Sequence, residues 1–248
     1  MAELFIISCQ RNANRFVVNC VESVAQQTLR PRKHIFVDDV SSDDTLQHLE
    51  KLRSQYDYLA VIENRERKYR LRNIYEIVSD LDDESIVCLL DGDDWLAYAN
   101  VLAEVNNQYE EGGYEYVYTN WQFSHAPILG ISKKIPDKDW NPYTSPWITS
   151  AMATFKAGLF KSIPKANFLD ESGEFFKMGT DQAYVLPMLH ILRQRDGNYH
   201  SVGFIDHPVY VYQFIENELR KRNDEMGNWE RQTASVASEV IRERGFLP

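Results

Sequence analysis

The chain has 248 residues, enough for one large domain or one domain with a small lobe. Its formal net charge of −10, from 37 acidic against 27 basic residues, argues against the basic surface that nucleic-acid binding needs. No stretch approaches the ~18 apolar residues of a membrane span, and no signal peptide precedes the first strand-like run. The three cysteines, Cys9, Cys20 and Cys88, lie in apolar stretches with no C-x-x-C pair, and read as small buried residues of a reduced protein. A soluble, cytoplasmic protein is expected, with attachment to a membrane surface left open.

Leu4-Phe5-Ile6-Ile7 reads as a short buried strand. Phe16, Val17, Cys20, Val21 and Val24 then recur at helical spacing up to about Gln27. His34-Ile35-Phe36-Val37 is the second strand, closed by Asp38-Asp39. Residues Ser41 to Asp44 carry a helix-start signal, with Leu46, Leu49 and Leu52 following on one face. Tyr58 to Ile62 is a third strand, and Leu71, Ile74, Tyr75 and Val78 mark a third helix. Ile86 to Leu90 is the fourth strand, and Val101, Leu102 and Val105 indicate a fourth helix. Strands alternating with single helices predict an α/β fold whose central sheet is mostly parallel and flanked by helices. The near-continuous apolar runs suit parallel strands buried on both faces.

The pattern changes after about residue 113. Tyr114 to Trp121 alternates as a strand. Residues 124–148 hold four prolines and little periodicity, and read as a long connection of the kind that often carries function. Thr149 to Ile163 reads as partly helical, and Thr180 to Leu192 as a helix capped by Thr180 despite Pro187. Val202 to Ile205 and Val209 to Tyr212 read as two short strands, and Trp229 to Arg244 as a polar helix ending at Gly245.

The fourth strand ends in Leu90-Asp91-Gly92-Asp93-Asp94-Trp95. A buried strand delivering three carboxylates to its carboxyl end puts them where open α/β sheets bind ligands. Carboxylates this close repel one another unless a proton or cation lies among them. Mg²⁺ or Mn²⁺ held by one or two carboxylates usually completes its shell with phosphate oxygens and water. The plain structural alternative is that Asp93 or Asp94 caps the segment that follows.

Four segments in register resemble the family 2 glycosyltransferases, which have the nucleotide-diphospho-sugar transferase (GT-A) fold. They are Ile6-Ile7-Ser8-Cys9-Gln10-Arg11-Asn12, Ser23-Val24-Ala25-Gln26-Gln27-Thr28, Val37-Asp38-Asp39-Val40-Ser41-Ser42-Asp43-Asp44-Thr45 and Leu90-Asp91-Gly92-Asp93-Asp94-Trp95-Leu96. The third is close to the family's "V-D-D-G-S-x-D-x-T" and the fourth to its "L-D-x-D-D-x-L". A fifth segment, Gly179-Thr180-Asp181-Gln182-Ala183, resembles the stretch carrying the family's catalytic acid, usually "E-D"; here Thr180 replaces the Glu.

The resemblance implies a metal-dependent, inverting transferase that moves a sugar from a UDP-sugar to a glycan, lipid-linked or protein hydroxyl. Residues 1–112 would form the nucleotide-sugar-binding half, and residues 113–248 the acceptor-binding half with a C-terminal helix. Asp39 would recognise the base, with Asp38 bracing its loop, while Asp43 and Asp44 better suit capping. Ser8, Cys9 and Arg11 would approach the nucleotide. Arg72 would serve as phosphate partner, with Arg70 and Lys68 as competitors. Asp93 would ligate Mn²⁺ or Mg²⁺ directly, and Asp91 would contact ribose or reach the metal through water. Gly92 would let the backbone approach the ligand, and Asp94 would be structural. Asp181, at a helix start where the dipole favours an anion, would act as general base. Trp121, Tyr143 and Trp147 are candidates for stacking on sugar rings. Two alternatives stand beside this reading. A sugar-phosphate nucleotidyltransferase of the same broad fold would want a Gly-rich phosphate loop, but residues 9–14 contain no glycine. A non-catalytic nucleotide-sugar-binding protein would explain Thr180, but not the intact Asp91 and Asp93.

Overall fold

The computed structural model describes residues 2–136, 139–213 and 228–248. Its first half is a repeated strand-helix unit: β1 (Leu4–Gln10), α1 (Val17–Ala25), β2 (Lys33–Asp38), α2 (Thr45–Arg53), β3 (Leu59–Glu63), α3 (Tyr69–Ser79) and β4 (Ile86–Leu89). Then follow β5 (Trp95–Leu96), α4 (Val101–Glu110), β6 (Tyr116–Phe123), β7 (Ala126–Leu129), β8 (Ala153–Lys156) and α5 (Ala157–Lys161). The chain continues through a 3-10 turn at Lys165–Phe168 to α6 (Thr180–Asp196), β9 (Val202–Tyr212) and α7 (Asn228–Arg244).

The strands form one sheet in the order β3-β2-β1-β4-β8-β6-β9-β5, with β7 paired to β6. β1, β2, β3 and β4 are mutually parallel, whereas β8 runs antiparallel to both β4 and β6. Side-chain alternation explains the layers. Ile6, Phe36, Cys88 and Leu90 pack with α1, α2 and α4 on one face. Ile7, Cys9, Val37 and Leu89 pack with α3, α5, α6 and α7 on the other. Both faces are covered, which is why these strands read as unbroken apolar runs.

Thr149 to Ile163 is partly helical, as expected, through α5, and also holds β8, a four-residue strand paired on both sides and too short for a period to show. Two sequence expectations are corrected. The two strands expected at residues 202–205 and 209–212 are one strand, β9. Its pairing shifts from Ile205 opposite Thr119 to Pro208 opposite Asn120, and Asn120 Nδ2 donates to the Asp206 carbonyl across the irregularity at 3.2 Å. Thr180 does not cap α6. The capping position belongs to Gly179, at φ +65°, and a Cβ there would lie 3.2–3.3 Å from Ser238 and Ala237 of α7. Only glycine suits both the left-handed backbone and that close approach.

Candidate active site

The order β2-β1-β4 places the reversal of strand sequence between β1 and β4, the crevice where open α/β sheets bind ligands. A cleft of about 680 Å³ opens there. Cys9 and Arg11 come to it from the end of β1, Asp39 from β2, and Asp91, Asp93 and Asp94 from β4. Arg70 and Asn73 of α3, and Asp181 at the start of α6, complete its chemistry. Ala234 and Ser238 of α7 also line it, a contribution for which the sequence carries no signal. Trp147 lines both this cleft and an adjoining recess of about 30 Å³ that shares Arg70, Asp91 and Asp181. Tyr143 is instead buried in the core, and Trp121 packs against Phe123 and Tyr212.

Arg70 is the hub. Its Nε donates to Asp91 Oδ1 at 2.9 Å, and one terminal nitrogen donates to Asp181 Oδ1 at 2.7 Å, Tyr184 Oη at 3.1 Å and Thr180 Oγ1 at 3.3 Å. Burial opposes its charge, but Asp91, then Tyr184 and Asp181, hold the guanidinium firmly protonated. Arg72, the expected phosphate partner, is not among the residues lining the cleft. Its Nε donates to Glu76 at 2.9 Å. Lys68 is likewise committed to Glu76, at 2.7 Å. Two positions along a helix turn the side chain by about 200°, so α3 can aim only one of Arg70 and Arg72 into the cleft.

The acid cluster divides as its surroundings dictate. Asp94 is buried and accepts from Tyr210 Oη and, at 2.6 Å, from the Gln213 N–H. Burial, with the charges of Asp93 and Asp91 adding, pushes its carboxyl well up. It is a structural post, as expected. Asp91 is also raised, by burial first and by Asp181's charge, with Arg70 opposing. Asp91 and Asp93 line the cleft beside Asp94. No group of three or more His, Cys, Asp or Glu among the described residues could enclose a metal ion. Two carboxylates in a crowded anionic turn suit a hard cation that fills its shell with phosphate oxygens and water, not one needing a protein cage. At Gly92 a Cβ would lie 2.5 Å from the Phe36 ring and 2.7 Å from Gln10 Cβ. The turn is thus pressed onto β1 and β2 from within.

Tyr210 Oη also accepts from the Asp91 N–H at 3.3 Å, so one hydroxyl ties both ends of the acid turn. Tyr210→Phe leaves a buried carboxylate short of a donor. It is expected to cost about 2 kcal/mol, read as a lowered denaturation midpoint.

Asp39 holds the opposite wall. Oδ1 accepts from Asn64 Nδ2 at 2.7 Å, the Lys68 N–H at 2.9 Å and Asn73 Nδ2 at 3.3 Å; Oδ2 accepts from the Tyr69 N–H at 2.9 Å. Burial alone would raise its pKa, but these four donors outweigh it and leave it below the usual range. Asp39 thereby pins the entry of α3, where Tyr69 is held at φ +61°. Asp38 braces its loop through the Ser41 N–H at 3.1 Å. Asp43 accepts from Thr45 and Asn14, whereas Asp44 occupies the capping position of α2 without a side-chain cap bond.

Ser8 is fully buried, bonded to His34 Nε2 at 2.9 Å, and does not line the cleft. His34 is held neutral, its pKa lowered to about 3 by burial. Cys9 lines the cleft, but burial pushes its thiol up to about 12, which leaves no thiolate for nucleophilic work. Arg11 Nε donates to the Val40 carbonyl at 2.9 Å. The loop after β1 has already spent its amides: Asn12 N–H on Ser41, Ala13 N–H on Thr45 and Asn14 N–H on Asp43. A phosphate cradle of the nucleotidyltransferase kind would need those donors.

Val40 stands where the resembling motif carries glycine, and its φ is +65°. A β-branched residue is strained in that region. Val40→Gly is therefore expected to raise stability by about 1 kcal/mol, visible as a higher melting temperature.

The sheet order, the crevice and the carboxylates at its edge define a GT-A glycosyltransferase fold. Residues 5–162 match the profile of the family described as Glycosyl transferase family 2, and the chain belongs to that family. Among solved structures it is similar to Staphylococcus aureus TarS, at 16% identity and a TM-score of 0.63, covering 97% of this chain and 43% of that one. It is also similar to the mannosyltransferase PcManGT from Pyrobaculum calidifontis in complex with GDP-Man and Mn²⁺, at 16% identity and a TM-score of 0.57, covering 99% and 76%. A third is glucosyl-3-phosphoglycerate synthase from Mycobacterium tuberculosis with Mn²⁺, UDP and glucosyl-3-phosphoglycerate, at 14% identity and a TM-score of 0.61, covering 97% and 80%. The chain thus spans less than half the length of TarS. No curated protein matches the chain in sequence. No helix among the described residues is long and apolar enough to cross a membrane.

Proposed function

We propose that the protein transfers a sugar from a UDP-sugar to a hydroxyl acceptor in one inverting step, with a divalent cation at Asp91 and Asp93 and Asp181 as general base. The observation that carries this reading is the convergence of Asp91, Asp93 and Asp181 on one cleft, with Arg70 bonded to the first and last. Mn²⁺ or Mg²⁺, when bound by Asp93 directly and by Asp91, neutralises charge that builds on a departing diphosphate.

The chain's own residues do the remaining work. Asp39 fixes the wall against which the base would lie, and its Oδ2 has accepted only one of the bonds it can take. Arg70 sets the position of Asp181 relative to Asp91. Asp181 Oδ1 is occupied by Arg70 and by Tyr184 Oη at 2.6 Å, while Oδ2 has no partner among the described residues. That free oxygen, on a side chain 58% exposed, takes the proton of the attacking hydroxyl. Trp147, shared between cleft and recess, offers a face to the sugar ring.

Calorimetric titration with UDP, GDP and CMP, each with and without Mn²⁺, tests the reading. Tight binding of UDP alone, and only with the metal, is expected. Equal binding of all three nucleotides, or binding indifferent to metal, contradicts it.

A further inference from the structure

Arg11, Arg67 and Lys177 line the cleft, and none is paired with a carboxylate among the described residues. Elsewhere on this acidic chain, cations sit against acids: Arg195 on Glu115 and Asp196, Lys156 on Glu84, Lys161 on Asp83. Asp170, which feels the charge of Lys177, is turned into its own loop, where Oδ1 accepts from Ser172 and Glu174.

Arg67 and Lys177 are gathered at one place. The Arg67 guanidinium stands 4.3 Å, and the Lys177 ammonium 5.3 Å, from the centre of the Tyr69 ring. Tyr69 is itself a fixed post, in a left-handed backbone conformation with its N–H bonded to Asp39. A strained residue held in this way is a reason to look for function. Arg67 arrives from the segment before α3, on the nucleotide side. Lys177 arrives from the segment before α6, four residues ahead of Asp181. Both exposed cations thus stand over one ring in the cleft lining, and Lys177 is close in sequence to the residue assigned as base.

On the sugar-transfer reading, a cation held at Asp91 and Asp93 would meet the donor's diphosphate charge, so the donor would not need them. A second anion does. With a net charge of −10 the protein repels acidic molecules at long range, so an acidic acceptor requires local cations at the cleft. Arginine's planar fork and the lysine point charge both suit phosphate and carboxylate. We infer that Arg67 and Lys177 hold an anionic group of the acceptor, a phosphate or a carboxylate, and that the acceptor is an acidic hydroxyl compound, not a neutral sugar. This rests on the sugar-transfer reading above.

The test is calorimetric, with sulfate as probe for a tetrahedral anion and acetate as probe for a carboxylate, each titrated into protein saturated with UDP and Mn²⁺. One of the two is expected to bind without displacing UDP, and the better binder assigns the acidic group. Arg67→Gln and Lys177→Gln should each weaken it about threefold, and the double variant about tenfold, with UDP affinity changed by less than about twofold. Both side chains are exposed, so folding is not at stake. Competition between the anion and UDP, loss of UDP affinity by the same factor in the double variant, or binding of neither anion would overturn the inference. If UDP itself fails to bind, the sugar-transfer reading falls. The same anion titrations on unliganded protein and the double variant then still decide whether these two residues form an anion site.

Discussion

Asp181→Asn is expected to bind UDP and Mn²⁺ as the parent does, while transfer to an acceptor falls by about 10³-fold. The substitution keeps the shape and leaves an amide oxygen to accept from Arg70 and Tyr184, so the cleft should stay assembled. What it removes is the basic oxygen that takes the hydroxyl proton. Single-turnover transfer, measured beside UDP titration, separates the two properties. An Asp181→Asn protein with full activity would show that the proton leaves by another route.

Arg70→Ala is expected to have the other large effect, on stability as well as turnover. Its guanidinium is 22% exposed and serves Asp91, Thr180, Asp181 and Tyr184 together. Removing this half-buried guanidinium leaves Asp91 and its neighbours short of donors, at a cost of about 2 kcal/mol. Arg72→Ala removes only a more exposed pair with Glu76 and should cost about 0.5 kcal/mol or less. Chemical denaturation of the two variants compares them directly. Equal losses would mean that Arg70 is no more central than its neighbour.

The sequence makes the parallel half of the fold legible because each strand there is buried on both faces and each helix carries one apolar stripe, two patterns that physical periodicity separates cleanly. Asp91 and Asp93 could be picked out as candidates because clustered acids at a strand end need a reason, and Asp181 through the resemblance of its segment to the family's. What stays hidden is set by contacts between distant segments. Nothing in Arg70 and Arg72 as residue types says which faces the cleft; the rotation of α3, fixed by burial of Leu71, Ile74 and Val78, decides it. Ser8 sits on a strand end that looks ligand-facing, yet its side chain points to His34. Gly179 reads as an ordinary residue before a threonine cap until α7 is seen packed against it. The short β8 and the interrupted β9 owe their strand character to partners far along the chain.

The central claim is that Asp91 and Asp93, in the turn after β4, grip a divalent cation that in turn holds a nucleoside diphosphate. Titrating UDP with and without Mn²⁺ into the parent and into Asp93→Ala tests it most directly. The account predicts that Mn²⁺ strengthens UDP binding to the parent by about a hundredfold or more and leaves the variant unaffected. Metal-enhanced UDP binding that survives intact in Asp93→Ala would contradict it.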